Sequence, residues 1–287
     1  MARPVGDLLR VRPGSGPVSL VDVDPRSTPG HDGGKTAARE AVAEVGERLA
    51  ELQKQLYAEG RTGGHRRLLV VLQGMDTSGK GGAIKHVAGL MNPAGLRIHG
   101  FGKPTEQELS HDFLWRFDRD LPAPGYLGMF DRSHYEDVLV VRVHDLVPPQ
   151  EWQTRYDRIN AWECELAEQG VTMLKVMLHL SPGEQRERLL ARLDDPTKHW
   201  KFNPGDVDER RHWHAYSSAY ETVLERCSTD VAPWHVLPAD RKWYRSWGLA
   251  HLLLETLCGL DLQWPRPELD VEALRAALAD RAEGDAA

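Results

Sequence analysis

The chain has 287 residues, 41% of them hydrophobic, and a formal net charge of −7, which is enough to bury a sizeable core in one large or two modest domains. Three scattered cysteines, Cys164, Cys227 and Cys258, exclude a disulfide framework and a CxxC zinc site and fit a reducing, cytoplasmic setting. No leader-like start and no apolar run of about 20 residues is present, so neither export nor membrane insertion is expected, and the acidic balance argues against broad attachment to nucleic acid; any polyanion must be held by a focused site.

Residues 1–33 are rich in Gly, Pro, Asp and Ser and read as an irregular arm with a short strand at most. From Lys35 to about Ala58, Val42, Val45, Leu49, Leu52 and Leu56 recur at helical spacing. The pattern then alternates. "RRLLVVLQ" predicts a buried parallel strand and the next helix runs from about Lys80 to Met91. "GLRIHGF" predicts a second strand, and "TEQELSHDFLWRFDRDL" a single helix with Leu109, Phe113, Leu114 and Phe117 on its apolar side. "GYLGMFDRS" and "HYEDVLVVRVHDL" form the third strand and its helix, and "PPQEWQTRYDRINAWECELAEQG" a helix opened by prolines and closed by Gly170. "VTMLKVMLHLS" is the fourth strand, "PGEQRERLLARLDD" and "VDERRHWHAYSSAYETVLERC" are helices, "WHVLPAD" is the fifth strand and "RKWYRSWGLAHLLLETLCG" the closing helix. Residues 266–287 read as a frayed C-terminal helix. Five strands alternating with helices specify a doubly wound α/β fold with a parallel sheet.

The first β–α turn reads Gly74-Met75-Asp76-Thr77-Ser78-Gly79-Lys80, the spacing of a phosphate-cradling P-loop (Walker A) in its expected strand–turn–helix setting. Backbone N–H groups there face an anion and Lys80 adds a point charge. The Ser or Thr that ordinarily follows the lysine and binds magnesium is replaced by Gly81 and Gly82. Another oxygen must take its place. Asp76 inside the loop is one candidate; Asp131, delivered to the carboxyl edge of the sheet by "YLGMFDRS" in the manner of a Walker B acid, is the second. Arg132 beside it can grip phosphate oxygens in a bidentate way, although a salt bridge to a neighbouring carboxylate is the alternative. Phosphoryl transfer needs chiefly alignment and charge neutralisation, and these parts suffice without a covalent nucleophile.

Residues 183–214 gather Arg188, Arg192, Lys198, Lys201, Arg210 and Arg211 around a Pro/Gly-containing break, which reads as a helical lid or, given the interspersed acids, as a solvated helical hairpin. His212 and His214 are poorly spaced for a metal, and Trp115, Trp152, Trp162, Trp200, Trp213, Trp243 and Trp247 read mostly as core.

The ordered blocks "GMDTSGKGG", "FLWRFDRDLPAPG", "FDRSHYEDVLVVRV" and "DDPTKHWKFNPGDVDERRHW" resemble the polyphosphate kinase 2 family over about residues 40–262. The resemblance implies a thymidylate-kinase-like, three-layer P-loop fold with a domain over 34–265, transfer between inorganic polyphosphate and a nucleotide with Mg²⁺ or Mn²⁺, and an oligomer, a dimer or tetramer. It implies that Asp76 and Asp131 position the metal, that Lys80 and Arg132 grip the phosphates at the transfer point, and that Arg192 assists from the lid. Binding of phosphate and nucleotide is then expected at Gly74, Met75, Thr77, Ser78, Gly79, Gly81 and Gly82, at Lys103, Asp112, Arg116, Glu136 and Asp137, and at Lys201, Arg210 and Arg211 of the lid. The blocks around Asp112, Glu136 and Asp137 look most like class III, whose members accept both AMP and ADP; ATP and the guanine equivalents complete the expected partners. An ATP-dependent nucleoside monophosphate kinase and a non-catalytic polyphosphate- or nucleotide-binding module are the rival readings. Gly81 weighs against the first, and a complete set of Asp76, Lys80, Asp131 and Arg132 against the second.

Overall fold

The run Leu68–Leu72 is buried on both faces, and its period of two divides the core. Leu68, Val70 and Leu72 join Leu49, Leu56, Val87 and Leu253 in one layer. Leu69 and Val71 join Phe117, Leu139, Ile159 and Leu224 in the other. The computed structural model describes residues 3–14, 16–266 and 268–284. In chain order its elements are α1 (Val5–Leu9), α2 (Lys35–Arg61), β1 (Arg67–Gln73), α3 (Lys80–Ala88), β2 (Leu96–Gly100), α4 (Glu106–Leu109), α5 (Trp115–Arg119), β3 (Leu127–Asp131), α6 (Glu136–Val143), α7 (Pro149–Glu168), β4 (Val171–His179), α8 (Pro182–Leu193), α9 (Gly205–Glu209), α10 (Trp213–Cys227), β5 (Trp234–Pro238), α11 (Lys242–Gly259) and α12 (Val271–Gly284).

The five strands are parallel in the order β2-β3-β1-β4-β5, so the expected α/β fold with a five-stranded parallel sheet is present. Because β1 lies between β3 and β4, the direction of connection reverses there, and ligands of such sheets bind at that point, beyond the carboxyl ends of the strands. The register sets Leu72 opposite Asp131. The backbone N–H of Arg132 donates to Leu72 O at 3.1 Å. The glycine-rich turn and the Asp131–Arg132 pair therefore leave the sheet side by side.

Four expectations are corrected. The helix expected over 105–121 is two short ones: Thr105 and Glu108 close a capping box around α4, and Asp112 Oδ1 accepts the N–H of Leu114 at 3.0 Å, a local bond that competes with helix continuation. Leu109, placed on its apolar side, is exposed. The helix expected from Val207 starts at Trp213, preceded by α9 and a 3₁₀ turn over Arg210–His212, and the helix after the glycine-rich turn stops at Ala88. The N-terminal arm is more ordered than its composition predicts. It forms α1, a 3₁₀ turn over Leu20–Asp22 and a single bridge between Arg10 and His235, and it buries Val5, Leu9 and Leu20. Its order comes from distant partners: the Glu255 carboxylate accepts the N–H groups of Val5 and Gly6, both at 2.7 Å. The last part of the expected C-terminal tail, 285–287, lies outside the described residues.

Candidate active site

The loop from Gly74 to Gly79 is held open from several directions. Tyr220 accepts the Gly74 N–H at 3.1 Å, and Gln185 Nε2 donates to Asp76 O at 3.0 Å. Arg188 Nη1 donates to Thr77 O and Ser78 O at 3.0 and 2.9 Å. Gly79 caps α3 in the left-handed region at φ 98, which glycine tolerates without strain. Ala83 N donates to Gly79 O, so the N–H groups of Lys80, Gly81 and Gly82 have no acceptor along the helix and face outward at its positive end. This arrangement suits an anion.

Lys80 is buried, and its ammonium donates to Gly74 O at 2.9 Å. Burial, with Arg132, pushes it below the usual lysine range, while Asp76, Asp131 and Glu136 oppose the shift. Arg132 leaves β3 in the left-handed region at φ 66, an unusual setting for a residue with a side chain. Its Nη2 donates to Asp76 Oδ1 at 2.7 Å and its Nη1 lies 3.6 Å from Glu136. Burial works against this guanidinium, but Glu136 and Asp76 outweigh it and hold the charge firmly. Gly74, Met75, Asp76, Arg132 and Glu136 line a small cleft of about 30 Å³ together with Gln185, Glu209, Trp213, Tyr216 and Tyr220.

Asp131 differs from these neighbours. Its carboxylate is neither hydrogen-bonded nor ion-paired among the described residues, and a Cβ on Gly81 would lie 3.5 Å from its Oδ2. The space where an ordinary P-loop carries its hydroxyl therefore faces a free carboxylate. The donor set suits a divalent hard cation to the extent that Mg²⁺ typically uses one or two carboxylates with phosphate and water oxygens; no group of three or more His, Cys, Asp or Glu that could hold a metal is present among the described residues. Asp131 and the second oxygen of Asp76 are the available donors.

The other candidates divide. Asp112 pairs with Arg158, and Asp137 with Arg155 at 3.0 Å. Burial pushes the Asp137 carboxyl up to about 6 against the pull of Arg155 and Arg116. Arg116 is buried over Phe101 and Phe117 and donates to Gly102 O. Lys103 is exposed. In the segment 183–214, Arg192 lies 3.5 Å from Asp206 and Arg211 lies 3.5 Å from Asp208, while Lys201 lies over Trp200. Arg210 reaches the loop through an intermediary, since its Nη1 donates to Gln185 Oε1 at 2.7 Å. Asp206 faces the loop, where burial and Asp76 raise its carboxyl. Arg188, expected among the lid cations, is instead buried beneath the loop.

A support for Arg132 escaped the sequence reading. Ser133 Oγ accepts from Gln73 Nε2 and from Tyr135 N; His134 Nε2 lies 3.1 Å from Glu163; Tyr135 and Lys175 both donate to Glu163. All of these side chains are fully buried. The one legible signal was Lys175, a charge in the middle of the apolar run "VTMLKVMLHL". Tyr220 and Gln185 sit at ordinary helical positions and carry no signal.

The family model for polyphosphate kinase 2 matches residues 33–263. The chain belongs to the polyphosphate kinase 2 family. It is 51% identical over 265 residues to the AMP/ADP-polyphosphate phosphotransferase of Meiothermus ruber, covering 92% of this chain and 97% of that protein. An ADP-polyphosphate phosphotransferase of Rhodopseudomonas palustris is 42% identical over 76% of this chain and 78% of its own length. The crystal structure of polyphosphate kinase 2 from Arthrobacter aurescens TC1 superposes with a TM-score of 0.94 at 50% identity, covering 97% of this chain and 98% of that one. The P-loop kinase fold expected for a polyphosphate kinase 2 is thus the fold of this chain. No described helix is long and apolar enough to cross a membrane.

Proposed function

We propose that this protein is a polyphosphate-dependent nucleotide kinase that transfers a phosphoryl group from inorganic polyphosphate to AMP, to ADP, or to both, and that the transfer is reversible. The observation that carries the reading is the near-full-length match to a protein named for that activity on both AMP and ADP. The loop supports it independently. It keeps an anion-facing helix end and a buried lysine, and it sets a free Asp131 carboxylate against Gly81.

Lys80 and Arg132 neutralise oxygens of the phosphoryl group as it moves, and the loop N–H groups orient it for in-line displacement. In the present geometry Lys80 is turned onto Gly74 O and Arg132 onto Asp76. Both contacts are exchanged for phosphate oxygens when substrate enters. Asp76 and Asp131 would hold Mg²⁺ or Mn²⁺, and the ion would supply positive charge against the phosphates. The lid, with Arg192, Lys201, Arg210 and Arg211, excludes water that would compete with the acceptor. Lys103, Asp112, Arg116, Glu136 and Asp137 hold the acceptor nucleotide on the β2–β3 side. A homo-oligomer in the cytoplasm completes the reading.

The test is incubation of purified protein with polyphosphate, Mg²⁺ and either AMP or ADP, without ATP, followed by nucleotide separation. ADP and ATP are the expected products. Absence of any new nucleotide with polyphosphate, together with turnover of AMP by added ATP, would establish the nucleoside monophosphate kinase instead.

A further inference from the structure

Arg245, in the first turn of α11, is 6% exposed. A buried cation is costly unless it is paired. Arg245 nevertheless makes no ion pair among the described residues; its Nε has no partner, and the one hydrogen bond of its guanidinium among them is a long contact of 3.5 Å from Nη2 to Ser246 Oγ. The neighbouring Arg188 is the opposite case. Its Nε donates to Glu184 at 2.9 Å, and its two Nη groups donate to the carbonyls of Thr77, Ser78, Ala239 and Asp240.

The uncompensated guanidinium is aimed at the phosphate loop. A Cβ built on Gly79 would fall 1.9 Å from Arg245 Nη1, and one on Gly82 would fall 3.4 Å from its Nη2. Arg245 thus backs the same helix end whose N–H groups at Lys80, Gly81 and Gly82 have no acceptor along the helix, and the backbone of Gly81 and Gly82 is exposed above it. Lys242, the first residue of α11, is exposed at the rim. The cations feel one another: burial and Arg188 push Arg245 down to about 10, and burial followed by Arg188 lowers Lys242. On α3, His86 is lowered by burial and by Arg245. Glu184 is the acid facing this group, and it is engaged by Arg188.

We propose that Arg245 is the buried wall of a further phosphate subsite, on the α11 side of the loop over Gly82 with Lys242 at its rim, which takes a phosphate of the polyphosphate donor beyond the one transferred. The inference rests on the polyphosphate reading above. Asp131 and Arg132 approach the loop from β3, on one side of β1, whereas α11 follows β5 on the other. A chain of phosphates crossing the loop can meet both, and its charge compensates a guanidinium that the protein leaves unpaired.

The experiment compares wild type, Arg245→Met, Arg245→Lys and Lys242→Ala, using inorganic tripolyphosphate and long-chain polyphosphate as probes without nucleotide. Arg245→Met removes a buried uncompensated charge, so its ligand-free Tm is expected to equal or exceed that of wild type, while the Tm rise induced by tripolyphosphate shrinks at least by half. Its KM for polyphosphate rises by about tenfold, more than kcat falls, and the KM for the acceptor nucleotide stays put; the log–log salt slope of KM decreases by about one. Arg245→Lys retains most of the ligand-induced rise, and Lys242→Ala raises the polyphosphate KM by about threefold at unchanged Tm. A packing role gives the reverse: Arg245→Met loses ligand-free stability or fails to fold, while Arg245→Lys and Lys242→Ala bind tripolyphosphate like wild type. That result overturns the subsite. Failure of the polyphosphate reading itself is seen separately, as a wild-type protein with neither a polyphosphate-induced Tm rise nor a nucleotide product.

Discussion

The Asp131 carboxylate makes no hydrogen bond or ion pair among the described residues, although its backbone belongs to β3, and Lys80 is buried at a cost with a single carbonyl partner for its ammonium. Residues so placed contribute to function more than to stability. Lys80→Met and Asp131→Asn are each expected to lower kcat for ATP formation by about 100-fold, as loss of one transition-state charge partner does. Their Tm is expected to remain at or above that of wild type; initial rates and thermal melts check both halves. A second residue-scale prediction concerns acid stability. Burial holds His134, His179, His235 and His251 below the usual histidine range, His235 at about 4. A base depressed in the folded state takes its proton in the unfolded state first, so its stabilising contribution is whole above about pH 6.5 and is lost as pH falls toward 4. For His235 alone the loss is about 3 kcal/mol across that window. His235→Gln is expected to flatten the fall of Tm between pH 6.5 and 4, read from melts at half-unit intervals, and a slope identical to that of wild type would refute it.

At the scale of elements, α8 is tied to the loop it follows in space rather than in sequence. Arg188 alone joins Glu184 of α8, two loop carbonyls and the end of β5. Arg188→Met is expected to cost about 3 to 5 kcal/mol, because several buried carbonyls lose their donor together. Urea denaturation measures the loss, and faster amide exchange confined to residues 76–80 locates it. The arm is a second such element. Removing residues 1–25 exposes the surface covered by Val5, Leu9 and Leu20 and strips Glu255 of two donors. The expected loss is roughly 5 kcal/mol, from about 1.5 to 3 kcal/mol per buried aliphatic side chain, and a truncated protein with unchanged Tm would show that the arm only rests on the surface.

For the whole molecule, residues 183–214 and the loop hold their cations on partners of their own: Arg192 near Asp206, Arg210 on the Gln185 amide oxygen, Arg132 on Asp76. A phosphate chain would offer each cation a stronger partner, so on the proposed function binding and closure of this segment are expected to be coupled. Arg192→Ala is expected to reduce kcat at least about tenfold with Tm within a few degrees of wild type, because the Arg192–Asp206 pair is partly solvated and contributes little. Equal activity with a lower Tm would instead make Arg192 a strut of the lid. With the molecule as a whole at −7, affinity for polyphosphate is expected to come from this local cluster and to weaken as salt rises, which binding measured over a salt series checks.

How much was legible follows from the range of the forces involved. Strand and helix alternation, the glycine-rich turn, Lys80 and the acid ending an apolar strand are local patterns, and local patterns are written in consecutive residues. The resemblance of four ordered blocks added the family and with it the reaction. The break at Ser110–Leu114 was missed because a single Asx bond and a capping box outweigh helical periodicity there. The ordered arm was missed because its donors find Glu255, about 250 residues away. The sequence by itself determined the fold class and, through the family resemblance, the kind of reaction. Only the tertiary structure decided that Arg188 pins the loop, that a buried Glu163 network carries the turn into Arg132, that the Asp131 carboxylate lies opposite Gly81 and that the Arg245 guanidinium is buried, both without an ion-pair partner among the described residues. Each is a statement about what a charge meets across the sheet or between layers, and burial decides the energy of a charge far more than its neighbours in the chain do.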